Sequence, residues 1–147
     1  MKTGLPRLQK GAAAIEFALV FGIFFAVFYG LISFSLPLLL MQSFNQAAAE
    51  AVRQAMAVDP TSAGNAYGTQ LTQRAKDTVV SQLSWIPSSF QFKREYVNAT
   101  YSANTLTVEI AYPTTQLYAA FPALVLPGVG TVPRLPTNLS ARSSLQF

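Results

Sequence analysis

The sequence predicts a membrane-anchored α+β chain: a long N-terminal helix made of a transmembrane stretch and an amphipathic extension, a second helix, and a small antiparallel sheet of about three strands. Three observations predict it. Residues 17–43 carry no charge, residues 42–86 keep a helical period apart from one break near Pro60, and after Pro87 the apolar period changes to two. The chain therefore divides into a basic leader over residues 1–11, a spanning helix with its extension over 12–58, and an exported α+β part over 59–147.

Composition sets the frame. Of 147 residues, 51% are hydrophobic and 11% are charged, less than half the ~25% charge of an ordinary soluble domain. The formal net charge is +4, but Lys2, Arg7 and Lys10 supply three of the ten basic residues. The rest of the chain holds seven basic and six acidic residues, so it is nearly neutral and gives no electrostatic reason to expect nucleic acid. Cysteine and histidine are both absent, which removes disulfides, thiolate chemistry and His-based metal sites or general bases. The six acidic residues are scattered, so no catalytic, metal or cofactor site is expected, and the chain reads as a non-enzyme.

The apolar stretch Phe17–Met41 is 25 residues long, against the ~20 a helix needs to cross ~30 Å of hydrocarbon. Three basic residues precede it, and Gln42, Ser43, Asn45 and Glu50 follow. The positive-inside rule then puts residues 1–11 in the cytoplasm and the C-terminal part across the membrane. A cleaved secretory signal, with Ala47-Ala48-Ala49 as its site, is the competing account, but its apolar core would run only ~7–15 residues. Pro37 removes one backbone bond and crowds Ser33, so a kink is expected there, with Ser33 or Ser35 satisfying a freed carbonyl.

Small residues recur at every fourth position: Ala14, Ala18, Gly22, Ala26 and Gly30. That spacing makes a stripe along which two helices can approach closely in lipid, where packing drives association. Phe17, Phe21, Phe24, Phe25 and Phe28 flank the stripe or lie opposite it.

The border between leader and span reads Lys10-Gly11-Ala12-Ala13-Ala14-Ile15-Glu16-Phe17. A carboxylate at the mouth of an apolar helix is costly, and such groups tend to be functional. Its simplest role is to sit among headgroups near the helix N-terminus, where the dipole favours an anion. Basic residues, a glycine, four small or apolar residues, Glu-Phe and then a long apolar helix together resemble the class III signal of type IV prepilins. The segment Gly11–Val20 and the later Ala47-Ala48-Ala49-Glu50-Ala51-Val52-Arg53-Gln54-Ala55 resemble the TadE-like family of tight-adherence (Tad/Flp) pilus proteins more closely. The likeness covers about the first 58 residues. Major Flp pilins carry Glu-Tyr at the Glu16-Phe17 position and end soon after the helix, so a main fibre subunit is not expected. TadE-like spans often carry an early proline, whereas Pro37 is late.

The resemblance implies substrate and assembly roles. A prepilin peptidase would cut between Gly11 and Ala12, and Glu16 with Phe17 would serve helix docking in a pilus or its platform. The implied partners are the membrane, the peptidase, other pilins or pseudopilins and Tad platform proteins, with no nucleic acid and no cofactor. The implied place is the bacterial inner membrane, N-terminus cytoplasmic and C-terminal part periplasmic, with incorporation in a pilus as a further option. The function so expected is that of a minor pilin or pseudopilin in a Tad system, acting structurally in pilus biogenesis, adhesion or secretion. An uncleaved single-pass envelope scaffold and a type II secretion minor pseudopilin are the alternatives.

Beyond the span, residues 42–58 are rich in helix formers, giving one helix of ~45 residues and ~65–70 Å. Phe44, Ala48, Ala51, Ala55 and Val58 share a face, and Glu50 and Arg53 can pair. Asp59–Gly64 is expected as a turn, with Thr61, Ser62 or Asn65 as an N-cap. The second helix, over residues 65–85, keeps Leu71, Ala75, Val79, Leu83 and Ile86 in register until Pro87. Val97, Ala99 and Tyr101 alternate in one strand, and Leu106, Val108, Ile110 and Tyr112 in the next, with Ser102-Ala103-Asn104 between. Phe90 and Phe92 have opposite parity, predicting a break near Lys93-Arg94-Glu95. Leu139, Ala141, Ser143 and Leu145 mark the third strand. Residues 113–137 hold five of the nine prolines and read as a long loop with a helical turn around Leu117–Phe121. Its Leu124-Val125-Leu126 run is expected to cover the sheet, with the bilayer or a partner as alternatives.

Overall fold

The computed structural model describes residues 8–126, 128 and 130–146; Lys2 and Arg7 of the leader lie outside them. Helix α1 spans Leu8–Ala55, 48 residues and roughly 70 Å at 1.5 Å per residue. It starts inside the leader and ends three residues short of the expected 58. Its hydrogen-bonded turns continue across Pro37, while Ser33 and Ser35 donate to the carbonyls of Gly30 and Ile32 at 3.0 and 2.8 Å. These hydroxyls therefore serve carbonyls three residues back and not the one freed by Pro37. Arg53 closes the helix with a two-pronged bond to Glu50 at 2.8 Å, and Gln54 adds a third donor at 2.8 Å. The guanidinium and then the amide hold the Glu50 carboxyl below the usual carboxylate range.

The expected turn after α1 is itself a short helix, α2 (Pro60–Ala63). Asp59 caps it, its Oδ1 accepting from the Thr61 backbone N–H at 2.8 Å, with proline at the first helical position, where its missing donor costs nothing. Thr61, Ser62 and Asn65 were expected to cap the next helix, whose N-cap is instead Ala66. Helix α3 (Tyr67–Gln82) follows a 3₁₀ turn and has no side-chain cap. It buries Leu71, Ala75, Thr78 and Val79, the spacing of a single helical face. Gly68 brings α3 against the sheet edge: a Cβ there would lie 3.0 Å from the Tyr101 ring.

Strands β1 (Val97–Ser102) and β2 (Thr105–Pro113) form an antiparallel hairpin, paired Val97 to Ile110 and Ser102 to Thr105. Its two-residue turn places Ala103 and Asn104 at φ of 48° and 59°, the left-handed pair that matches strand twist. A 3₁₀ turn at Arg94–Tyr96 is the predicted break.

The excursion after β2 is a built unit. Helix α4 (Thr114–Ala120) is followed by a small hairpin, β3 (Leu124–Leu126) with β4 (Gly130–Val132). The sequence reading anticipated the helical turn but not the hairpin. Strand β5 (Asn138–Gln146) then pairs along the whole of β2, giving sheet order β1-β2-β5.

One face of this sheet packs on the outer half of α1 and on α3. Leu106, Val108, Ile110, Tyr112, Leu139 and Ala141 meet Phe44, Ala47, Ala48, Ala51, Leu71, Ala75 and Val79 there. Alanines on α1 let the sheet come close, and Phe44 fills the space between the rings of Phe92 and Tyr112, each centred 5.8 Å away. The other face stays polar, with Glu109 directly opposite Arg142. Tyr112 donates to the Phe90 carbonyl at 2.6 Å. Burial, then the neighbouring Tyr96, pushes its hydroxyl up to about 12.

Candidate functional site

The part of the chain beyond α1, from Asp59 on (the cap), meets α1 only part of the way along it. Ser33, Pro37, Leu40, Phe44 and Ala47 are buried at spacings of three and four, so the cap clasps one face of α1 from Ser33 outward. Residues 11–28 are exposed on every side. The most apolar stretch of α1 is 6% buried, so this is no core helix, and its length and composition are enough to cross a membrane. From Gly11 to Ile32 the segment is 22 residues, roughly 33 Å long, and bare except at Tyr29 and Gly30, which are partly buried.

Every site residue expected from the sequence lies on this bare segment. Gly11 and Ala12 fall within the first turns of α1, and Ala12 stands one turn before Glu16. Glu16 and Phe17 are exposed, and no hydrogen bond or ion pair joins Glu16 to another of the described residues. A Cβ added at Gly11, Gly22 or Gly30 would meet nothing within 4 Å. No contact within this chain therefore requires glycine at these positions. Ala14, Ala18, Gly22 and Ala26 are exposed and Gly30 partly so, leaving the stripe open along its length.

A second feature of the same segment was not anticipated. Phe17, Phe21, Phe25 and Tyr29 stack at every fourth position, with ring centroids 5.9, 6.4 and 6.4 Å apart. Tyr29 then stacks on Phe121 at 5.8 Å and donates to the Pro122 carbonyl at 2.8 Å. This aromatic column lies one residue, about 100° of helix, round from the small-residue stripe. The signal was present in the spacing, but the long-range partner of Tyr29 was not readable from it. The arrangement offers surfaces for packing.

Residues 11–53 match the protein family described as TadE-like protein. That match begins at Gly11, takes in Glu16, the small-residue stripe and the aromatic column, and stops just before the end of α1, leaving the cap outside it. No curated protein and no solved structure matches the chain. Over its N-terminal helix, then, the chain is similar to the TadE-like family.

Proposed function

We propose that this protein is a minor pilin- or pseudopilin-like component of a Tad pilus assembly system, acting as a structural part. In this reading α1 is held in the bacterial inner membrane with residues 1–11 on the cytoplasmic side. The cap stands on the periplasmic side. A prepilin peptidase removes the leader between Gly11 and Ala12. The new α-amino group on Ala12 then lies one turn from Glu16, an ion pair that lowers the cost of a carboxylate beside hydrocarbon. Other pilins, pseudopilins or platform proteins pack along the stripe from Ala14 to Gly30.

The observation that carries the reading is the coincidence of the TadE-like match with a helix that is bare where partners would bind. The glycines at 11, 22 and 30 have no packing reason inside the chain. Surfaces presented to a peptidase and to neighbouring helices would give them one.

Two substitutions test it in cells expressing a Tad system. Gly11→Phe should leave the fold intact, because its side chain meets only open space, yet stop leader removal. Glu16→Ala should be processed normally and fail to co-purify with the assembled pilus machinery. Normal assembly of the Glu16→Ala protein would remove Glu16 from the docking role.

A further inference from the structure

The excursion between β2 and β5 is tied down at three levels. Thr114 donates from its hydroxyl to the carbonyls of Pro136 and Thr137 at 2.8 and 2.9 Å, closing the base. Halfway along, the Tyr118 hydroxyl donates to the Pro133 carbonyl at 2.9 Å and accepts from the Leu135 N–H at 3.3 Å. At the far end, Phe121 and Pro122 are fixed to Tyr29 by stacking and a hydrogen bond. The excursion therefore holds a defined position along α1, and Leu124 follows Pro122 by two residues, at most ~7 Å of chain. Leu124 and Val125 do not cover the sheet as expected: both are exposed, Val125 at 74%.

Distance along α1 then decides what these side chains face. Tyr29 lies thirteen residues beyond Glu16, roughly 20 Å, whereas the hydrocarbon core is ~30 Å thick. If Glu16 stays at one boundary, Tyr29 and the attached loop lie about 10 Å below the other. Tilting the helix shortens its reach and deepens the loop. Lifting the loop clear would drag the Glu16 carboxylate inward, which hydrocarbon opposes. Leu31, Phe34, Leu38 and Leu39 of α1 are exposed, so the apolar surface continues beyond Tyr29. Arg134 lines an apolar groove with Phe34 and Leu38. Its guanidinium lies over Gly130, 2.8 Å from where a Cβ would sit. Glu16 and the Leu38 level are roughly 33 Å apart, close to one hydrocarbon thickness.

We propose that the segment Phe121–Val125 is a lipid-contacting element, with Leu124 and Val125 reaching the acyl chains of the outer leaflet and Arg134 at its phosphates. The cap is thus partly sunk in the bilayer. From the Tyr29 attachment the chain between Pro122 and Leu124, up to ~7 Å, carries the hairpin backbone outward toward the headgroup–acyl boundary, because open strand edges are not tolerated in the hydrocarbon itself. This inference rests on α1 being a membrane anchor.

The test uses full-length protein in phosphatidylcholine vesicles, with the single tryptophan removed as Trp85→Phe and a new one placed at Val125→Trp, Phe24→Trp or Gln70→Trp. Gln70, at the start of α3 beside the far end of α1, reports on the cap remote from lipid. Brominated lipids should quench Phe24→Trp and should remove more than about half the emission of Val125→Trp, with shallow bromines more effective than deep ones. Gln70→Trp should keep its emission. Quenching of Phe24→Trp with none of Val125→Trp would overturn the lipid-contacting hairpin and leave the anchor standing. Absence of quenching at Phe24→Trp would overturn the anchor, and the hairpin proposal with it.

Discussion

Replacing Phe44 with alanine tests whether the cap and the outer half of α1 form one core. Phe44 is 0% exposed and sits between the Phe92 and Tyr112 rings, while its neighbours on α1, Ala47 and Ala48, are too small to close the gap. Truncating a buried phenylalanine costs about 3–5 kcal/mol, combining lost transfer energy and an unfilled cavity. For a unit of roughly a hundred residues, each kcal/mol shifts Tm by about 4–8 °C, so a fall of about 12–40 °C is expected. Near-ultraviolet circular dichroism of the detergent-solubilised protein reads the cap through its tyrosines; the far-ultraviolet signal would follow α1, whose bare half stays helical. A fall below about 5 °C, less than a single kcal/mol on the same scale, would mean that α1 is merely tethered beside the cap.

Tyr112 links pH to stability. Because burial raises its hydroxyl to about 12, the neutral form is favoured in the fold. Its contribution is complete below pH ~10, the unfolded value, and is lost as pH rises from ~10 toward ~12. The denaturant midpoint should drop across that window. Tyr112→Phe should flatten the drop while costing about 1 kcal/mol at neutral pH for the lost bond to the Phe90 carbonyl. Ala103 adopts φ 48° in the β1–β2 turn; Ala103→Asn should raise the unfolding free energy by about 0.5–1 kcal/mol, read as a higher denaturant midpoint, since asparagine tolerates the left-handed region that strains alanine. Gly22→Leu should leave the unfolding midpoint of the isolated protein unchanged, its side chain meeting open space, and should reduce recovery of the protein with its pilus partners. A loss of stability in that variant would place the stripe inside the chain's own packing.

Local chemistry explains which parts of the fold were legible in the sequence. The period of two through Leu106, Val108, Ile110 and Tyr112 reports burial on one side of a sheet, and it located β2 to within a residue. The same holds for Leu139 and Ala141 in β5. Asp59 was passed over as a cap because the segment after it was read as a turn; Pro60 at the first helical position is the signal that identifies it. The β3–β4 hairpin was illegible for a different reason. Its strands are three residues each, too short to show a period, and its position depends on Tyr29, more than ninety residues earlier. Glu16 stood out because a charge beside an apolar run is rare. The aromatic column did not, since phenylalanines in such a run need no explanation until one face is seen to lead to Phe121.

The account turns on residues 11–53 being a processed, prepilin-type helix in a TadE-like protein. Intact mass of the membrane-extracted protein, compared from hosts with and without a cognate prepilin peptidase, tests this most directly. The account predicts loss of residues 1–11 only where the peptidase is present, leaving Ala12 as the new N-terminus. A full-length mass in both hosts would contradict it.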